Sequence, residues 1–229
     1  MRHSVSMVAA ILFIVTVSAA AGLASERPSV VVLPRGGYLY GSHTISAADD
    51  SGHLRSTTDG HGWHMGGELR FLLSKSWTLD LELKYGSLKK ADLTMSGEGN
   101  GIIIVSNDDA KFSQETFEFA FVPVGYYPAF GESVAHLYGG VGLGFRNQFG
   151  GTFSGGGGSA KDNLFDFWAL DLVSKLGVLF ENNGFAFDLG LRTGYSMVPI
   201  SWAKSEFGKS DPDLSSLNLT VSMAIGFAF

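Results

Sequence analysis

From about residue 35 onward, apolar and polar side chains alternate in eight stretches: about 35–45, 63–73, 77–86, 113–127, 135–146, 166–180, 185–195 and 216–229. The third is the clearest. Trp77, Leu79, Leu81, Leu83 and Tyr85 share one parity, and Thr78, Asp80, Glu82 and Lys84 the other. A helix would scatter these two sets around its circumference, whereas a strand separates them onto opposite faces. The eighth stretch sets Leu217, Leu219, Val221, Met223, Ile225, Phe227 and Phe229 against Asn218, Thr220, Ser222, Ala224, Gly226 and Ala228. The pattern predicts an all-β chain of eight strands.

The gaps alternate in length. Those at 74–76, 128–134 and 181–184 are short, and those at 46–62, 87–112, 147–165 and 196–215 are long. Short turns at one end and long loops at the other describe an up-and-down antiparallel meander with unlike ends, the layout of transmembrane barrels. An even strand number puts both termini at the short-turn end. Asn183-Gly184 between two alternating runs suits a tight hairpin.

The polar face carries Glu68, Arg70, Asp80, Glu82, Lys84, Glu118, Asp171, Lys175, Asp188 and Arg192, while the apolar face carries rings and branched side chains. Eight strands enclose an interior only wide enough for side chains to fill it, too small for so many rings. The opposite arrangement fits: rings toward lipid and charges inside, where they can pair. A three-residue turn at 74–76 places Arg70 opposite Asp80. Pairing Glu181 with Gly184 places Asp171 diagonal to Arg192 and Lys175 diagonal to Asp188; a register centred on Asn183-Gly184 removes both diagonals. The expectation is a side-chain-filled polar lumen with no continuous pore. Glycines 66, 86, 140, 142, 144, 190, 194 and 226 fall mainly on the polar face, leaving room for bulky inward neighbours.

Composition narrows the function classes. There is no cysteine, which excludes disulfides, thiolate metal sites and a lipidated cysteine. The net charge of −6 speaks against a nucleic-acid partner. Residues 1–24 have the layout of a cleaved signal peptide, with Arg2, the apolar run Met7–Val17, and small residues through Ala24; an uncleaved anchor is the alternative. Residues 25–229 then form one barrel domain. They contain no run of the roughly 20 apolar residues that a membrane helix needs.

Signal peptide, alternating strands and the ending VSMAIGFAF together resemble the small eight-stranded OmpA-like and OmpX-like outer-membrane barrels of Gram-negative bacteria. The resemblance implies residence in the outer membrane and contact with its lipid and lipopolysaccharide. It also implies that Ile225, Phe227 and Phe229 are read by the barrel assembly machinery. Trp63, Trp77, Tyr85, Tyr126, Tyr127, Trp168, Tyr195 and Trp202 lie near predicted strand ends, where aromatic girdles belong.

Other constellations are weaker. The glycine runs at 150–151 and 155–158 lack the lysine and helix of a phosphate cradle, and Gly139–Gly144 falls within a strand. His53, His61 and His64 near Asp49, Asp50 and Asp59 match no tight ligand spacing, so neither metal nor cofactor is expected. Some barrels of this kind modify lipid A with a histidine, a serine and an acid. Here Ser42 and His43 are neighbours on one strand and point to opposite faces. Ile102–Val105 reads as a hairpin above the membrane, a recognition patch, or part of an extra pair making ten strands. The reading is therefore a non-enzymatic barrel with a structural role, its long loops available to a surface ligand. The alternatives are an adhesin or resistance protein, a narrow pore, or a lipid A-modifying enzyme.

Overall fold

Alternation becomes pairing in a computed structural model, which describes residues 30–49, 52–99, 102–104, 111–155, 158–161, 167–201 and 213–229. Ten strands follow in order: β1 (Val30–Asp49), β2 (Gly52–Ser74), β3 (Trp77–Gly99), β4 (Ile102–Ile104), β5 (Lys111–Tyr127), β6 (Ala135–Gly155), β7 (Gly158–Lys161), β8 (Phe167–Asn182), β9 (Phe185–Ser201) and β10 (Asp213–Ala228). Eight of them make the wall, each antiparallel to its sequence neighbour in that wall, and β1 pairs with β10 to close it. At the seam, the Val30 amide donates to the Phe229 carbonyl at 3.1 Å and the Phe229 amide to the Val30 carbonyl at 2.8 Å. The predicted signal peptide lies outside the described residues.

Both termini of the barrel sit at the short-turn end. The β8–β9 turn is centred on Asn183 and Gly184, with φ of 52° and 79°. This left-handed pair matches the right-handed twist of the flanking strands. It sets Asn182 opposite Phe185 and Lys175 opposite Arg192. The register that pairs Glu181 with Gly184 is therefore not adopted, and neither predicted diagonal forms. The β2–β3 turn holds only Lys75 and Ser76, because an irregularity between Leu72 and Ser74 absorbs one residue; above it Arg70 still faces Asp80.

The opposite end departs from the expected long loops. β2 and β3 each run for 23 residues, and only positions 50–51 separate β1 from β2, with Asp49 opposite Gly52. Most of 46–62, 87–112 and 147–165 is strand. β4 folds back on Gly97–Gly99 and β7 on Thr152–Gly155, so these short strands extend hairpins. Three residues cannot cross a membrane that demands roughly 9–11 per strand, which removes the ten-strand reading and makes Ile102–Ile104 part of a raised wall. From Tyr85 to Gly99, β3 continues for on the order of 45 Å of strand at about 3.3 Å per residue.

The inward glycines serve two purposes, only one of which was anticipated. At Gly190, a Cβ would stand 2.7 Å from the Tyr138 hydroxyl, so glycine there makes room for a ring. At Gly142, a Cβ would stand 2.0 Å from the Phe121 carbonyl oxygen of the next strand. There, as at Gly66, Gly140 and Gly226, the residue allows neighbouring backbones to approach while the narrow sheet coils sharply.

Candidate functional site

The lumen contains the charges, and the wall's outer surface contains the rings. Along β8, inward Ala169, Asp171, Val173, Lys175 and Leu179 are buried, whereas outward Trp168, Leu172, Leu176 and Phe180 are exposed. On β9 the outward apolar positions run from Phe185 through Leu189 and Leu191 to Tyr195, the length that a tilted strand needs to cross hydrocarbon. A molecule that buries arginine and exposes leucine is stable only in lipid. A closed antiparallel barrel with an outward apolar band is how strands satisfy this solvent. The chain is an all-β, membrane-spanning barrel of the outer-membrane type, and its place is the outer membrane.

Three layers fill the interior. The floor, at the short-turn end, is apolar: Val31, Leu33, Val122, Val124, Leu179, Ala186, Ala224 and Ala228 pack together with Tyr126 and Tyr138. The expected polar lumen is thus polar only above this plug. Tyr126, expected at a membrane interface, is buried in the floor. Trp77 and Tyr127 face outward near the short turns, and Trp63, Tyr85, Trp168 and Tyr195 face outward toward the other end, with Trp63 and Tyr85 in ring contact at 5.7 Å. Trp202 lies outside the described residues.

Above the floor is a continuous ion-pair lattice. Arg70 donates through Nη2 to Asp188 Oδ2 at 2.7 Å, binds Glu68 through Nε, and lies 3.4 Å from Asp80 Oδ2. Its guanidinium sits 4.6 Å from the Tyr138 ring centre, and the Tyr138 hydroxyl donates to Asp188 at 3.0 Å. Lys175 Nζ touches Glu68, Asp80 and Glu82 at 2.9, 2.7 and 2.6 Å. Arg192 bridges Glu82, at 2.7 Å, to Glu118, which also takes Lys84 at 2.7 Å. Arg35 reaches Glu68 and Asp188, each at 2.8 Å.

A second group lies on the far side of the lattice. Arg146 holds Asp171 through Nε at 2.7 Å and Nη2 at 3.3 Å, and reaches Gln148, Ser196 and Ser216. Leu39, Leu88, Phe112 and Phe167 are buried on this side, and the Phe167 ring centre lies 5.5 Å from the Arg146 guanidinium. Counting Arg35 and Arg146, as many cations as carboxylates are named in the lattice and this group. The balance limits the penalty of burying charge.

Sequence reasoning did not include Arg35 and Arg146 in the network. Parity could have found both: Arg35 shares its face with Gly37 and His43, and Arg146 with His136 and Tyr138. His61 falls in the gap expected at 46–62, and His64 in the alternating stretch that follows it. They lie on β2, where His61 is exposed and His64 is buried in the lumen.

His43 is turned inward and fully buried, away from Ser42, and meets Ser216 of β10 at 2.5 Å through Nδ1. Gln148 fixes its tautomer. The Gln148 carbonyl accepts from Arg146, so its amide nitrogen faces Gln114 at 2.7 Å and His43 Nε2 at 3.0 Å. Nε2 then accepts, and Nδ1 donates to Ser216. An imidazole that donates to a serine has no lone pair to take that serine's proton.

No family model matches the chain, and no curated protein matches it. Among solved structures it is similar to Neisserial surface protein A, at 12% identity over 85% of this chain and 97% of that one, with a TM-score of 0.42. It is also similar to the outer membrane protein OprG from Pseudomonas aeruginosa, at 13% identity over 89% and 98%, with a TM-score of 0.49. A third similarity is to Ail, the attachment invasion locus protein of Yersinia pestis, at 14% identity over 86% and 99%, with a TM-score of 0.36. Likenesses at this identity concern the fold.

Proposed function

We propose that the protein is a non-enzymatic, non-conducting outer-membrane barrel with a structural role, which raises strand-built walls above the membrane as a contact surface. The observation that carries this reading is the filling of the lumen. An apolar floor, a charge-balanced lattice and a group anchored by Arg146 occupy the interior in sequence, which leaves the fixed charges paired and, among the described residues, no wide aqueous path. The donor role of His43 and its complete burial support the absence of acyl-transfer chemistry at that pair. In planar bilayers the expected result is no stable, large conductance from the folded protein. A persistent water-filled channel would overturn the sealed-lumen reading.

The raised walls support the contact role, with lipopolysaccharide and surfaces outside the cell as the partners within reach. Asp92 pairs with Lys111 across β3 and β5, so residues 93–110 can be excised and closed with an Asn-Gly turn without touching the membrane belt. The variant is expected to keep the heat-modifiable gel migration of a folded barrel and to lose adherence to lipopolysaccharide-coated or host-cell surfaces. Unchanged adherence would place the contact elsewhere. Ile225 and Phe227 face outward beside the seam, and with Phe229 they form the stripe that the barrel assembly machinery would read during insertion.

A further inference from the structure

The lipid-facing wall is notched at one place. Trp77, Gly125, Gly139 and Leu176 lie in one register row across β3, β5, β6 and β8: Trp77 is opposite Gly125, Gly125 opposite Gly139, and Gly139 opposite Leu176. The Trp77 indole roofs Gly125, and Gly139 leaves bare backbone between that indole and Leu176. One step toward the short turns, Tyr127 is opposite Leu137 and closes the foot of the notch. These six residues line a groove of about 370 Å³, with Ser76 at its lower edge. The Trp77 ring leans over the gap, 3.4 Å from where a Gly125 Cβ would be. A Cβ at Gly139 would meet nothing nearer than the Lys175 carbonyl oxygen at 3.7 Å.

We propose that this groove is a fixed binding site for one acyl chain of a glycerophospholipid in the inner leaflet, the side on which the short turns of outer-membrane barrels lie, with the headgroup at the level of the Lys75–Ser76 turn. Its position selects the occupant. The notch opens from the wall into hydrocarbon and begins at the girdle formed by Trp77 and Tyr127, so the neighbour present in excess is an acyl chain rising from the adjacent headgroup layer. Its width also selects. With the indole lying over Gly125, the opening spans β6 alone between the ring and Leu176 of β8, and with strands about 4.8 Å apart that width suits one chain. A methylene takes about the volume of a liquid water molecule, roughly 30 Å³, so the groove holds on the order of ten methylenes. A chain lying there loses contact with mobile neighbours and gains indole and leucine surfaces on both sides.

The test uses the full barrel with Trp63, Trp168 and Trp202 replaced by Phe, so that Trp77 alone fluoresces. Phosphatidylcholine brominated in its acyl chains is titrated into detergent micelles holding the protein. A matching variant that retains only Trp168, in the other girdle, reports ordinary lipid contact. Trp77 is expected to reach half-maximal quenching at a brominated-lipid fraction about fourfold lower than Trp168, the weight of one further buried methylene. Gly139→Leu, which fills the groove, should bring Trp77 back to the Trp168 curve; Gly139→Val serves if the leucine variant fails to show folded gel migration. Coincident curves for the two tryptophans would overturn the proposal. So would enrichment that survives both fillings, or protection of Trp77 that grows with protein concentration and reveals a second copy in the groove.

Discussion

Replacing Arg70 by Met is expected to cost about 3–5 kcal/mol of barrel stability, the loss seen when one partner of a buried pair is removed. Arg70 is fully buried and meets Asp188, Glu68 and Asp80. Methionine matches the stem but leaves three carboxylates short of a cation in a space where water cannot replace it. Urea unfolding of the barrel from phospholipid vesicles measures the effect. Adding Asp188→Asn should cost less than the two single changes summed, by about 1 kcal/mol or more, because groups sharing one network are coupled. A loss below about 1 kcal/mol for Arg70→Met, the range of solvated ion pairs, would mean that the lattice is wet and contributes little.

One position apart can reverse the sign of a charge's effect. Arg192 is buried and paired, whereas Leu191 beside it faces outward, between Leu176 of β8 and Val221 of β10. Leu191→Arg is expected to destabilise the barrel by about 2–4 kcal/mol in bilayers, the cost of a guanidinium facing the lipid midplane. The same unfolding assay reads it, and a shift toward detergent micelles should reduce the penalty, because thin, mobile micelles let the side chain reach water. A neutral effect in bilayers would show that Leu191 does not face hydrocarbon, and with it the inward assignment of Arg192 would fall.

Strand count, barrel closure and the inward parity of the lattice residues were legible from the alternation, because lipid outside and paired charge inside impose opposite demands on adjacent positions. Where one of those demands lapses, the pattern goes silent. Above the girdle of Trp63 and Tyr85 the outer face no longer meets hydrocarbon and no longer demands apolar residues, so β2 and β3 continue as strands through residues that read as loop. In the floor, both faces are apolar. Val122, Val124 and Tyr126 follow Phe121 without contrast, and the plug is hidden in a run that looks uniformly greasy. Register at the β8–β9 turn depended on which residues take positive φ, and Asn183-Gly184 decided it over the charge diagonals. The Arg146 group was less legible for another reason. Its partners Asp171, Gln148, Ser196 and Ser216 come from β6, β8, β9 and β10, and no local spacing relates them.

The seam between β1 and β10 has a consequence for biogenesis. The contacts that complete the wall join the earliest and latest strands of the barrel, the most non-local pairing available to it, and such pairings form slowly. Until then the sheet has two free edges, rows of unmet amides and carbonyls that hydrocarbon does not tolerate. Insertion and ring closure must therefore be tightly coupled. Before insertion, in water, the polypeptide carries its future lipid-facing rings with nothing to cover them, which leaves it prone to self-association.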